Sequence, residues 1–114
     1  MRPDERDAAH LWDMLNAARE ARTIVEGIPV DQFLGDTLRR RALERTIELV
    51  GEAARRVSAK FQAARTDIDW RGLIGQRNIL AHEYGHINHQ LLHQAANNRL
   101  PALIAILERI IGTE

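Results

Sequence analysis

The chain has 114 residues, 45% of them apolar and 28% charged, which fits one globular domain over residues 1–114 and excludes wholesale disorder. It contains no cysteine, so disulfides, thiolate metal sites and cysteine nucleophiles are excluded, and the composition fits a reducing cytoplasm. Net charge is zero, so no global basic field draws the chain to nucleic acid. Contact with a polyanion has to come from a local cluster of arginines, which make up every basic residue except Lys60.

Charges interrupt each hydrophobic stretch, so no membrane span is expected, and the opening MRPDERDAAH is too charged for a signal peptide. A core of this size is modest, and a partner surface would add to it. Glycine and proline are sparse and clustered, alternating β-branched runs are missing, and the pattern predicts an all-α bundle of four main helices with short connections.

The first helix is expected from about Asp4 to Glu26. Pro3 with Asp4 and Glu5 opens it, Leu11, Leu15, Ala18 and Val25 form its buried stripe with Trp12 alongside, and Gly27 and Pro29 end it. Asp31 is expected to cap a single turn holding Phe33 and Leu34. The second helix is expected from near Asp36 to about Ala63. Leu43, Ile47, Val50, Ala54, Val57 and Phe61 recur at steps of four and three, and Leu38, Ala42, Leu49 and Ala53 make a second apolar face. A helix apolar on two sides is central to a bundle or lies at a dimer interface. Between the faces runs a polar stripe of Arg41, Glu44, Arg45, Glu48, Glu52 and Arg55. It is either a solvated face of ion pairs or, if buried, a source of carboxylate partners for an arginine from elsewhere. Asp69 is expected to cap a third helix from Trp70 to about 82–84, stopped by Gly85. Asn88 is expected to cap a fourth that runs to Gly112 and kinks or breaks at Pro101.

The segment QRNILAHEYGHINH, residues 76–89, carries the densest polar chemistry. Leu73 and Leu80 stand four and three residues from Arg77, which sets the arginine on or beside the apolar stripe, where it costs stability unless paired. His82 lies five residues on, about 140° around an ideal helix. The two side chains converge only if the helix ends near His82, if the arginine wraps, or if a two-fold partner completes the site. Such a pair suits phosphodiester chemistry on RNA. A histidine moves the proton of the 2′-hydroxyl or of the leaving oxygen, arginine binds the phosphate, and the 2′-hydroxyl serves as nucleophile without need of a metal. Asn78 is placed to orient the phosphate or the histidine. On spacing alone, a surface arginine and a satisfied histidine explain the residues as well. The pairs His82/His86 and His89/His93 have the four-residue spacing of metal ligands. Gly85 interrupts the first pair and no acidic third ligand stands near the second in sequence, so solvated histidines are the expected reading.

The run Trp70 to Tyr84, WRGLIGQRNILAHEY, resembles the signature of HepT-like HEPN-domain proteins: arginine, four residues, histidine, one residue, tyrosine, with a polar residue after the arginine. Ile47-Glu48-Leu49-Val50-Gly51-Glu52-Ala53-Ala54, Asp69-Trp70 and Leu100-Pro101 extend the resemblance over nearly the whole chain. It implies a four-to-five-helix HEPN-like bundle that forms a homodimer, with two copies of the motif in one cleft. It further implies the toxin of a two-component toxin–antitoxin system, a metal-independent endoribonuclease with Arg77 and His82 catalytic, Asn78 supporting and no cofactor. The implied antitoxin is a small nucleotidyltransferase that adenylylates Tyr84, adding bulk and negative charge on the face shared with Arg77. Glu83, a carboxylate between His82 and Tyr84, and the tail HINH depart from the family pattern. The alternative is a non-catalytic module that binds a nucleotide or a partner in its cleft.

Overall fold

A computed structural model describes residues 2–83, 85 and 87–112. Among these all the regular secondary structure is helical, with α1 Glu5–Val25, α2 Val30–Leu34, α3 Thr37–Arg56, α4 Ala59–Ala64, α5 Trp70–His82, α6 His89–Asn98 and α7 Leu100–Ile111. Its extents are 43 × 28 × 19 Å. The thinnest dimension admits about two helices, so each long helix keeps a face toward solvent. None of the described helices is long and apolar enough to cross a membrane.

Side-chain caps start most of the helices. Asp4 accepts from the Asp7 amide at 2.8 Å, Asp36 from Arg39 at 3.1 Å, Asp69 from Gly72 at 3.0 Å and Asn88 from Leu91 at 3.1 Å. Each satisfies an amide that has no partner within its own helix. Beyond α1 the chain turns at Gly27, whose φ of 73° favours a residue without a Cβ. Asp31 does not cap α2 as expected. Pro29 holds the cap position, without a side-chain bond, and Asp31 sits in the first turn. The last helical stretch breaks at Arg99, with Pro101 in the first turn of α7, where its missing amide costs nothing.

The expected second helix is two helices. α3 stops at Arg56, Val57 turns extended, and Ser58 caps α4 by accepting from the Phe61 amide at 3.2 Å. A distant residue fixes the break. Asp7 of α1, almost wholly buried, accepts from the Ser58 amide at 2.8 Å and from its hydroxyl at 2.6 Å. A buried carboxylate satisfied by two donors holds the bend more firmly than helix propensity can oppose it. Even so, Leu43, Ile47, Val50, Ala54, Val57 and Phe61 are all buried, because the bend keeps them facing one core.

That core lies between α1, α3 and α7 and includes Leu11, Met14, Leu15, Val25 and Phe33. α3 is the central helix, with its most extensive contacts on α1 and α5. Its second apolar face is buried only in part: Ala53 is covered, whereas Leu38 is 81% exposed. Trp12, expected beside the α1 stripe, is 45% exposed.

Candidate active site

The site is built where α5 crosses α3. Trp70 anchors the start of α5, buried and donating its indole N–H to the Arg65 carbonyl at 2.9 Å. Buried Leu80 and half-buried Leu73 and Ile74 hold the rest of that face on the core. Where the axes come closest, α3 presents Gly51. A Cβ built there would lie 2.3 Å from the Arg77 Cβ and 2.5 Å from the Leu73 carbonyl oxygen. Only a residue without a side chain allows this approach.

Arg77 therefore emerges directly against the backbone of α3, and its side chain is 15% exposed. Its Nε lies 2.7 Å from Oε2 of Glu52, whose side chain is 24% exposed. The contact is an ion pair: the buried Nε–H is not aligned on an acceptor among the described residues. Nη1 donates to Oδ1 of Asn78 at 3.0 Å. The arginine on the apolar stripe thus has the carboxylate partner its position demands, supplied by the polar stripe of α3. Asn78 thus contacts the arginine, and no hydrogen bond joins it to His82 among the described residues.

Glu52 is shared among three cations. Its Oε1 lies 3.5 Å from Arg55 Nε and 3.2 Å from Arg56 Nη2. Partial burial pushes its carboxyl pKa upward. The charges of Arg55 and Arg77, the polar contact with Arg77 and the charge of Arg56 outweigh that and hold it below the ordinary carboxylate value. The group is ionised at neutral pH. Three arginines around one glutamate leave a local surplus of positive charge on a chain whose net charge is zero. This is the local cluster that a polyanion would require.

His82 ends α5 and is exposed, in the last turn, where a helix dipole favours positive charge. No hydrogen bond or ion pair joins it to Arg77 among the described residues. Arg77 turns onto α3 while His82 faces outward, as their separation around the helix requires. Glu83, at the C-cap, is also exposed. Tyr84 and His86 lie outside the described residues.

His89 and His93, expected to be solvated, are instead partly buried and each has a protein partner. His89 Nε2 lies 2.5 Å from Glu44 Oε2, and His93 Nε2 lies 2.7 Å from the Ile28 carbonyl oxygen, with the His93 ring tilted against Phe33 at 5.1 Å. Each has its own partner on a different element, so the pair does not converge on one point.

The model of the family described as ribonuclease HepT-like matches residues 14–110. The chain belongs to this HepT-like family. A protein of Methanocaldococcus jannaschii named "Putative RNase MJ1380" is 30% identical over 95 residues, covering 83% of this chain and 87% of that protein. One of Thermococcus cleftensis named "Probable ribonuclease HepT" is 25% identical over 101 residues, covering 89% and 92%. No solved structure matches. The HepT-like pattern flags Arg77, Asn78 and His82, but gives no direct signal for the close approach at Gly51. The signal for Glu52 was weaker: a carboxylate on a stripe that could be buried.

Proposed function

We propose that this chain is the toxin of a toxin–antitoxin pair, a metal-independent endoribonuclease in which Arg77 and His82 are catalytic and Asn78 supports Arg77. The observation that carries this reading is a largely buried arginine, held by Glu52 and Asn78 five residues before the end of α5, whose last residue is an exposed histidine. Membership of the HepT-like family supports it. In the proposed reaction the 2′-hydroxyl oxygen of RNA attacks the adjacent phosphorus and the bond to the 5′-oxygen breaks. His82 accepts the hydroxyl proton and, now protonated, gives a proton to the departing oxygen. Arginine stabilises the charge that grows on the phosphoryl oxygens.

Within one chain Arg77 and His82 diverge, so the reading includes a homodimer in which the two motifs face a common cleft. Ile79 on α5 and Leu91 on α6, both exposed, offer apolar surface next to the motif for such a contact. A nucleotidyltransferase antitoxin would silence the site by adenylylating Tyr84, placing phosphate beside the arginine cluster.

The direct test is His82→Ala. Because His82 is exposed, the variant is expected to melt with the wild type while RNA cleavage in the presence of a chelator falls by about 10²–10⁴-fold. Unchanged cleavage would remove His82 from the mechanism. If the wild-type chain cleaves no RNA and is harmless when expressed alone, it is instead a binding module for the transferase. Co-expression with an active nucleotidyltransferase is expected to add mass in AMP units to the peptide containing Tyr84. An intact mass that never changes would end the adenylylation reading.

A further inference from the structure

We infer that Glu52 is a positioning residue for Arg77, fixing the plane and direction of its guanidinium for phosphate. This rests on the ribonuclease reading for its consequence, but on geometry for its substance. Arg77 leaves α5 at the tightest point of the α3–α5 crossing, where Gly51 gives its Cβ no room to retreat. The next residue of α3, Glu52, meets Nε, and the next residue of α5, Asn78, meets Nη1. Two contacts on one rigid planar group define its orientation. Nη2 is left with no partner among the described residues and is the nitrogen available to an incoming phosphate oxygen. Glu52 divides its two oxygens, Oε2 for Arg77 and Oε1 for Arg55 and Arg56, so its own side chain is fixed from both sides. Glu48, one turn earlier on the same face, pairs with Arg45, and no hydrogen bond or ion pair joins it to Arg77 among the described residues.

Positioning and simple structural support predict different kinetics. Removing the Glu52 charge leaves the arginine cluster more positive, so RNA binding holds or tightens, while the misdirected guanidinium slows the chemical step. Glu52→Gln is therefore expected to lower kcat by about 10–100-fold with KM unchanged or smaller. Glu48→Gln, which removes the same charge from the same face, is expected to keep both constants within about threefold. A second readout does not depend on activity. The buried Nε–H of Arg77, assigned by its loss in Arg77→Lys, is expected to give a slowly exchanging NMR signal in the wild type and in Glu48→Gln, and to lose that protection in Glu52→Gln. A Glu52→Gln variant with wild-type kcat, or with an unaltered Arg77 Nε–H signal, overturns the assignment. If the wild type cleaves no RNA, the ribonuclease reading falls and the NMR comparison alone decides whether Glu52 holds Arg77.

Discussion

Arg77→Ala is expected to reduce RNA cleavage by about 10²–10³-fold, the usual cost of deleting one group aimed at developing negative charge. It should also destabilise the fold, because the ion pair is largely buried and its loss leaves Glu52 with only the more exposed Arg55 and Arg56. Because Glu52 keeps two cations and is partly exposed, the cost falls at the low end of that for a lost charged partner, about 1 kcal/mol. Arg77→Lys separates the two effects. A lysine ammonium can still meet Glu52, so melting should return close to the wild-type temperature. It is a single point charge and cannot hold Glu52, Asn78 and phosphate together, so cleavage should remain low. Growth inhibition on expression should follow cleavage rather than melting temperature. Full cleavage by a folded Arg77→Ala chain would place the active site elsewhere.

Gly51→Ala is expected to damage both the fold and the site. The new Cβ would lie 2.3 Å from the Arg77 Cβ and 2.5 Å from the Leu73 carbonyl oxygen. Neither atom is the far end of a flexible side chain, so the whole of α5 must move off α3. Overpacking of this kind costs about 1–3 kcal/mol, against which the better helix propensity of alanine returns at most about 1 kcal/mol. The expected net is a melting temperature lower by several degrees, about 4 °C or more for each kcal/mol in a domain of this size. Cleavage should fall further than the folded fraction does, because displacement of α5 carries Arg77 away from Glu52. Thermal melts and cleavage assays below the transition check both. Wild-type melting and activity would mean that the crossing yields without cost and does not set the position of Arg77.

These expectations rest on contacts that run between helices, and there the sequence was least explicit. Helix starts were legible because a cap is a local event: Asp4, Asp69 and Asn88 each bond an amide three residues away. The buried face of α3 was legible because helical periodicity survives in any packing that covers one side. The break at Ser58 was not, since it depends on Asp7, fifty-one residues earlier. The pairings of His89 with Glu44 and of His93 with the Ile28 carbonyl, forty-five and sixty-five residues apart, were hidden for the same reason.

Arg77 marks the division between the two kinds of information. Its place on or beside an apolar stripe, three residues before Leu80, meant by itself that a guanidinium packed there would cost stability unless paired. Several carboxylates on the polar stripe of α3 could have served. The tertiary structure decided for Glu52, because the only residue of that stretch that lets α5 lie against the backbone is Gly51, and the side chain next to it is the one within reach of Nε.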